Sequence, residues 1–363
     1  MKILITGNMG YVGPAVVSEL RAFYPRATLV GYDTGYFATC LTNTSTLPEY
    51  LLDEQLFGDV RAITPAALDG VDVVIYLAAI SNDAMGNRYE QVTLDVNYRA
   101  AVRTAQLAKE AGARSFIFAS SCSIYGFADA APRTEHASLN PLTAYAKSKV
   151  MAEEALVPLA DEHFKISCLR FATACGMSPR LRLDLVLNDF VAGAASSSTI
   201  NILSDGTPWR PLIHIKDMAR AIRWASAGTP DADRDFLALN VGSNTWNYQV
   251  KDLAQAVAEA IPGTKVTINE KAAPDKRSYS VNFDLFEKLA PDAQPVYTLR
   301  ETIEELYRGL VAMGFDNADF RNSRYMRLKL LSALQDDSQL NEQLQWRRKG
   351  IPLSESWSTL ITA

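Results

Sequence analysis

The chain has 363 residues, 36 Lys and Arg against 41 Asp and Glu, a net charge of −5 and a pI near 5.4. That length suggests about two domains of ~150 residues each, and 48% apolar with 21% charged content excludes wholesale disorder. A mildly acidic chain is a poor dedicated nucleic-acid binder, and one this long needs neither disulfide nor metal to build a core.

In chain order, MKILITG reads as a strand over Lys2–Thr6 that runs into a turn. No apolar signal segment follows Lys2, and no apolar run reaches the ~20 residues of a membrane span. The expectation is a cytoplasmic protein without membrane association. Val12–Phe23 has helical spacing, Thr28–Tyr32 is a second apolar run, and Val71–Ala79 a third. A long helix is predicted over Val92–Ala111, a fourth strand over Arg114–Ser120, a helix over Ala144–Leu159 and a fifth strand over His163–Phe171. Continuous apolar strands separated by helices predict an α/β fold with a doubly wound parallel sheet covered on both faces.

After about residue 175 the texture changes. Gly176–Arg182 and Ala194–Gly206 read as loops around a cleft. Pro211–Ala227 reads as strand then helix, Leu237–Gly242 as a strand, and Lys251–Ala260 as a helix closed by Pro262 and Gly263. The tail, 316–363, holds one basic amphipathic helix candidate, Arg321–Leu334, whose Tyr325, Leu328 and Leu331 fit a packed face better than a nucleic-acid contact. The four cysteines (Cys40, Cys122, Cys168, Cys175) include no C-x-x-C pair, and His136, His163 and His214 show no metal-ligand spacing. Reduced, buried cysteines and no metal site are expected.

Gly7, Gly10 and Gly13 lie between the first strand and the first helix, with Tyr11 and Val12 inside the turn. The three glycines suit a tight turn, close backbone approach to a pyrophosphate, and close helix–strand packing, with the helix N-terminus facing the phosphates. Asp33 ends the second strand twenty residues after Gly13. A carboxylate there can accept both hydroxyls of an adenosine ribose and would repel a 2′-phosphate, so NAD is expected over NADP. Asp59 and Val60, and Leu77, Ala78 and Ala79 at the end of the third strand, are placed to line the adenine and ribose pocket.

Tyr145 and Lys149 are four apart on one face of the predicted helix. A free tyrosine, with a pKa of about 10, is a poor base at neutral pH. An ammonium beside it would favour the phenolate and let it take a proton from an alcohol while hydride leaves the carbon. The fourth strand ends Ser120-Ser121-Cys122-Ser123-Ile124-Tyr125-Gly126, so its hydroxyls should face the ligand crevice beyond the strand ends. Ser123 is placed to hydrogen-bond the reacting oxygen.

Together these segments resemble the extended short-chain dehydrogenase/reductases, in particular the NAD-dependent nucleotide-sugar epimerase/dehydratase branch. Later pieces fit as well: Arg210-Pro211-Leu212-Ile213-His214-Ile215-Lys216-Asp217, Leu239-Asn240-Val241-Gly242, and Asp275-Lys276-Arg277. The resemblance covers roughly residues 1–312. It implies a Rossmann-type NAD-binding domain (1–175 plus about 211–243), a smaller mixed α/β lobe (about 176–210 and 244–315) that binds a nucleotide diphosphate sugar, and a helical extension over 316–363. By the same resemblance Tyr145 is the acid/base, Lys149 its electrostatic partner and Ser123 the assisting hydroxyl. Ser121 and Asn97 would lie by the cofactor. Arg210 and Arg277 would clamp the substrate diphosphate, and His214 would be structural. Thr173 and, in a segment that the family pattern does not match, Arg182 are further candidates for contact with the substrate. A homodimer is implied, through helices such as Val92–Ala111 and Ala144–Leu159.

Relatives that remove water across C5–C6 carry an acidic pair where this chain has Cys122 and Ser123. The run here looks more like the epimerases, so a C4 epimerase working through a 4-keto sugar is expected. The alternatives are a 4-keto-sugar reductase, a C3 or C5 epimerase or dehydratase on a deoxy or heptose sugar, and, remotely, a non-catalytic NAD-dependent sensor or scaffold. Thr173 where the family has Asn, Pro211 where it has Asp, and an unmatched Pro179–Phe190 all fall in substrate-recognising segments.

Overall fold

The computed structural model describes residues 1–127, 131–228, 234–269, 271–272 and 278–347. The first half runs β1 (Lys2–Thr6), α1 (Gly13–Phe23), β2 (Thr28–Asp33), β3 (Glu54–Phe57), β4 (Val73–Tyr76), α2 (Asp83–Arg88), α3 (Glu90–Leu94), α4 (Ala100–Glu110), β5 (Ser115–Ser121), α5 (Ala144–Leu156), β6 (Lys165–Phe171) and β7 (Thr173–Cys175). The second half runs α6 (Val186–Ser197), β8 (Thr199–Ile202), β9 (Trp209–His214), α7 (Ile215–Ser226), β10 (Phe236–Val241), β11 (Asn247–Gln249), α8 (Val250–Ala260), β12 (Lys265–Ile268), α9 (Asp284–Leu289), α10 (Leu299–Ala312) and α11 (Arg327–Asp336).

Seven strands form one sheet in the order β3-β2-β1-β4-β5-β6-β10, with every pairing parallel. This is the doubly wound sheet expected from the apolar runs. Side chains alternate across it: Ile3 and Ile5 enter the core under α1 and α7, whereas Leu4 and Val30 enter the core under α4 and α5. The strand order reverses between β1 and β4, which opens a crevice at their carboxyl ends.

The smaller lobe has its own core, built from Leu187, Phe190 and Val191 of α6, Leu253 and Val257 of α8, and Ile303, Leu306 and Leu310 of α10. β9 pairs with β7 and β11 in a separate three-stranded sheet. The return of the chain to the large domain starts within β9, whose Leu212 joins the lobe core and Ile213 the α1-side core; it continues through Ile215, Ala219 and Ile222 of α7 into β10.

Three expected elements came out differently. The helix over Val92–Ala111 is interrupted, because Asp95–Arg99 forms a π-helical stretch between α3 and α4. Ala194–Gly206 is not all loop: it holds the end of α6 and the whole of β8, with Ser198 in the left-handed region (φ 50°) between them. The apolar face of α6 was hidden by its small residues. Gly193 explains one of them, since a Cβ there would lie 2.6 Å from the Thr199 carbonyl oxygen. The helix over Arg321–Leu334 starts only at Arg327, because Phe320–Asn322 forms its own tight turn with Arg321 paired to Asp189 at 2.6 Å.

The tail does not pack on the lobe alone. Leu331, Leu340 and Leu344 are fully buried against Ile80, Met85, Tyr89 and Val92 of the large domain. At about 1.5–3 kcal/mol for each fully buried leucine, this satellite core is enough to hold the segment down.

Candidate active site

A cleft of about 760 Å³ lies over the carboxyl ends of β1, β2, β4 and β5, closed on the far side by β7, α6 and α11. Its floor begins with the Gly-rich turn. Gly7 has φ +75°, and a Cβ on it would lie 2.6 Å from the Ala78 amide nitrogen. A Cβ on Gly13 would lie 2.0 Å from the Asn8 carbonyl oxygen. Both glycines are therefore demanded by backbone packing, while Gly10, whose Cβ would meet only the Gly7 oxygen at 3.1 Å, leaves open space toward the cleft. α1 has no side-chain cap at Val12; Pro14 brings no N–H and the Ala15 N–H bonds the Val12 carbonyl at 3.1 Å, so the Gly13 N–H at the helix start is the one left for a ligand. An open cradle backed by a bare helix start fits a dinucleotide diphosphate.

Asp33 lines the cleft and steadies this turn. Its Oδ2 accepts from the Met9 amide at 3.0 Å and its Oδ1 from the Gly35 amide at 2.7 Å. Burial pushes its carboxyl up, partly offset by those two bonds. Each oxygen keeps a lone pair for a ribose hydroxyl. Asp59 lines the same end, paired with Arg61 at 2.5 Å, beside Val60 and the Leu77, Ala78 and Ala79 backbone.

Asn97 is not in the cleft. It is completely buried in the π-helical stretch, accepting from the Ile80 amide at 2.8 Å and donating to the Ile80 carbonyl at 3.0 Å and the Ser148 hydroxyl at 3.1 Å. With its amide engaged by the chain itself, Asn97 holds the loop after β4 in place and cannot be a direct cofactor ligand.

At the other end, α5 presents Tyr145 and Lys149 beside the end of β5. Thr143 caps the helix by accepting from the Ala146 amide at 3.2 Å, which fixes where the first turn begins. Ser121, Ser123, Tyr145 and Lys149 all line the cleft. The electrostatics differ from expectation. Burial pushes the Tyr145 phenol up, and the groups acting downward are the Ser121 hydroxyl, through a hydrogen bond, and the Arg182 guanidinium, through its charge. Lys149 is 2% exposed and points its ammonium at the Ala119 carbonyl, 2.7 Å away, over the Phe118 ring and, as expected, beside Tyr145, 5.8 Å from that ring's centroid. Burial lowers it to about 7, against the upward pull of Glu153 and Cys168. The Ser123 Oγ is buried without a hydrogen-bond partner among the described residues. Cys122 turns the other way and donates to the Arg170 carbonyl at 3.0 Å.

Beneath α5 lies a buried ion pair. Arg170 binds Glu153 at 2.7 Å, and Ser120 donates to the same carboxylate. Tyr145, Lys149 and Glu153 share one helix face, so this pair fixes the face that carries the other two.

On the lobe side Thr173, Arg182 and Arg210 line the cleft. Arg182 is already engaged by Asp184 at 2.6 Å and the Ser81 hydroxyl at 2.8 Å. Arg210 lies over the Tyr279 ring, 5.9 Å from its centroid. Arg277 lies outside the described residues. His214 is buried and structural: it caps α7, bonds Glu305 at 2.7 Å and stacks on Tyr297. Several lining residues had escaped sequence reasoning, among them Tyr36, Phe37, Asn82, Tyr279 and the first turn of α11. Tyr279 lay two residues from a recognised arginine, but nothing local marked the tail. Asn188 also went unnoticed; it donates to the Tyr11 hydroxyl at 2.9 Å, while Tyr11 donates to the Gly176 carbonyl at 2.5 Å, tying the lobe to the Gly-rich turn.

Among the described residues no helix is long and apolar enough to cross a membrane. A family model described as "NAD dependent epimerase/dehydratase family" matches residues 3–242. A protein of Bacillus subtilis (strain 168), described as an uncharacterized UDP-glucose epimerase, YtcB, is 28% identical over 278 residues, covering 74% of this chain and 84% of its own. UDP-glucuronic acid decarboxylase 6 of Arabidopsis thaliana is 24% identical over 286 residues, covering 76% and 79%. Among solved structures, UDP-glucose-4-epimerase from Stenotrophomonas maltophila, with bound NAD and formylated UDP-arabinopyranose, superimposes with a TM-score of 0.73 at 21% identity. That superposition covers 86% of this chain and 99% of the other, and at such identity it speaks for the fold.

Proposed function

Because the chain belongs to the NAD dependent epimerase/dehydratase family, an NAD-dependent family of enzymes acting on nucleotide sugars, we propose that it epimerises a nucleotide diphosphate sugar at C4. The observation that carries this reading is the reaction end of the cleft. There the Ser121, Ser123 and Tyr145 side chains line one space, while Cys122 between them is turned inward. Removal of water from a sugar asks for an extra acid and base, and an inward thiol, pushed well above its usual range by burial, supplies neither.

NAD, when bound, supplies a two-electron acceptor that takes hydride from the sugar carbon and gives it back. Tyr145 takes the proton of the sugar hydroxyl as the carbonyl forms, and returns it after the ring has turned over. Ser121 favours the phenolate by donating to it, and the unpartnered Ser123 hydroxyl is free to bind the same sugar oxygen. Lys149, poised near 7, adds positive charge behind Tyr145 in its protonated form. Gly7, Gly10, Gly13 and the start of α1 would hold the NAD diphosphate, with Asp33 on the ribose. Arg210, together with Arg277, would grip the diphosphate of the substrate, since guanidinium forks match phosphate oxygens. A homodimer through α5 would bury Met151, 39% exposed, between the exposed Lys147 and Glu154.

Incubation with a panel of nucleotide sugars, followed by mass and NMR analysis, tests the reading. An isomer of unchanged mass is expected. Loss of water, loss of carbon dioxide, or gain of two hydrogens would each overturn C4 epimerisation.

A further inference from the structure

One wall of the cofactor cleft comes from a part of the chain beyond the family match, which ends at residue 242. Met326, Arg327, Leu328 and Lys329, around the first turn of α11, line the cleft alongside Tyr36 and Phe37. The segment following α11 is tied to the adenosine end. Arg61 donates to the Gln343 carbonyl at 2.8 Å, the Trp346 indole to the Thr34 carbonyl at 2.7 Å, and the Tyr36 hydroxyl to the Leu344 carbonyl. Thr34 and Tyr36 directly follow Asp33, and Arg61 is the partner of Asp59.

Two properties of this turn call for an anion. α11, ten residues long, has no side-chain cap at Met326, so its positive end and leading N–H groups are not answered by a side chain. Independently, Arg327 is 1% exposed and incompletely bonded. Its Nη2 donates to the Arg180 carbonyl at 2.8 Å, but its Nη1 has no hydrogen-bond partner among the described residues. The neighbouring Arg180 is neutralised by Glu49 at 2.8 Å; Arg327 instead lies over the Phe37 ring, 4.2 Å from its centroid, near the Cys40 side chain, and its nearest charged influences are Arg182 and Asp184, which pair with each other. A buried guanidinium with an open arm is costly unless a ligand completes it, and a phosphate oxygen has the right charge and geometry.

We infer that Arg327 and the first turn of α11 form an anion subsite for the diphosphate of NAD, so that the C-terminal tail is part of the cofactor site. The substrate diphosphate has the same chemistry. The cofactor is favoured because Arg327 sits over Phe37, four residues past the ribose carboxylate, and because the tail is bonded to Thr34, Tyr36 and Arg61. The inference rests on NAD occupying the cleft and not on which sugar carbon reacts.

Binding of ADP-ribose and of UDP to Arg327→Gln and Arg327→Lys, measured by titration calorimetry on the full chain, tests it. The glutamine variant is expected to bind ADP-ribose at least tenfold more weakly, the lysine variant severalfold more weakly, and both should bind UDP normally. Unchanged ADP-ribose affinity overturns the subsite. A loss confined to UDP overturns its assignment to the cofactor, and an equal loss of both ligands marks Arg327 as structural and overturns it too. Should glutamine prevent folding at this buried position, the lysine variant decides alone by the same comparison. A failure of C4 epimerisation would show in the product analysis and leave these affinities untouched.

Discussion

The two ends of the cleft are built on opposite plans. At the reaction end the working side chains stand on regular elements and are sparsely bonded: Lys149 holds one carbonyl, and Ser123 holds nothing among the described residues. At the adenosine end the walls are loops and the tail, cross-linked by Asp33 to Met9 and Gly35, Arg61 to Asp59 and Gln343, and Trp346 to Thr34. In the proposed reaction the sparsely bonded groups would exchange partners during turnover, and they have bonding capacity to spare. The proposed redox-neutral cycle would keep its cofactor bound, and the end that would hold it is pinned repeatedly. The rigidity under α5 belongs to the buried Arg170–Glu153 pair below the reaction end, not to the reacting groups.

The comparison can be broken or sharpened by four substitutions. Tyr145→Phe, at the sparse end, should lower turnover by about 10²–10⁴-fold while NAD stays bound; near-normal kcat would remove Tyr145 from its role. Glu153→Gln leaves Arg170 charged and buried without its partner, which should cost about 3–5 kcal/mol in denaturant unfolding. A much smaller loss would mean the face under Tyr145 is held by packing alone.

Glu305→Gln tests a third place, the junction of β9 and α7 at His214. Burial acts upward on Glu305, but hydrogen bonds from His214 and Lys216 outweigh it and bring the carboxyl down to about 2. A depressed carboxyl stabilises the fold fully above its ordinary value of 4.5 and loses that contribution as pH falls toward about 2. The substitution should therefore cost about 2 kcal/mol at pH 7, allowing for partial exposure. In pH-resolved melting curves that gap should close under acid; a gap independent of pH counts against the ion pair. The smallest effect is expected from Asp33→Ala, at the cross-linked end: about tenfold weaker NAD binding with NADP little changed. An unaltered preference between the two would reduce Asp33 to a brace for the Gly-rich turn.

How much of this was legible depended on how local the cause was. β1, α1, β2 and α5 could be read to within a residue or three, since an apolar run, spaced glycines and a helical period are properties of adjacent residues. The positions of Tyr145 and Lys149 followed from a four-residue spacing. Their electrostatics did not, because burial and the orientation of Lys149 toward Ala119 are set by the sheet beneath. The family resemblance puts Asn97 beside the cofactor, whereas its amide is engaged by Ile80 and Ser148, partners that no local pattern marks. α10 had a readable signal in its Thr298–Glu301 capping box that went unused. In the tail the packed face of Tyr325, Leu328 and Leu331 was legible, but the docking of Leu340 and Leu344 was not, since they find their partners in α2 and α3, some 250 residues earlier in the chain.

The π-helical stretch at Asp95–Arg99 has a consequence for how this chain tolerates change in length. Such a stretch carries one residue more than the α-helix it interrupts, and each residue in a helix turns the chain by about 100°. Because the wide turn absorbs the surplus residue, the flanking helices keep the register of an uninterrupted helix, with Val92 on the tail's leucines and Ala101 and Ala105 under the sheet. Deleting one residue within 95–99 should restore a smooth helix with both faces still docked, at the cost of the Asn97 bond to Ile80. A deletion on either side of the stretch would instead turn one docked face away by about 100°. Single-residue deletions scanned along 90–110 should therefore be tolerated best at this point, which works as a slack joint between two docked surfaces.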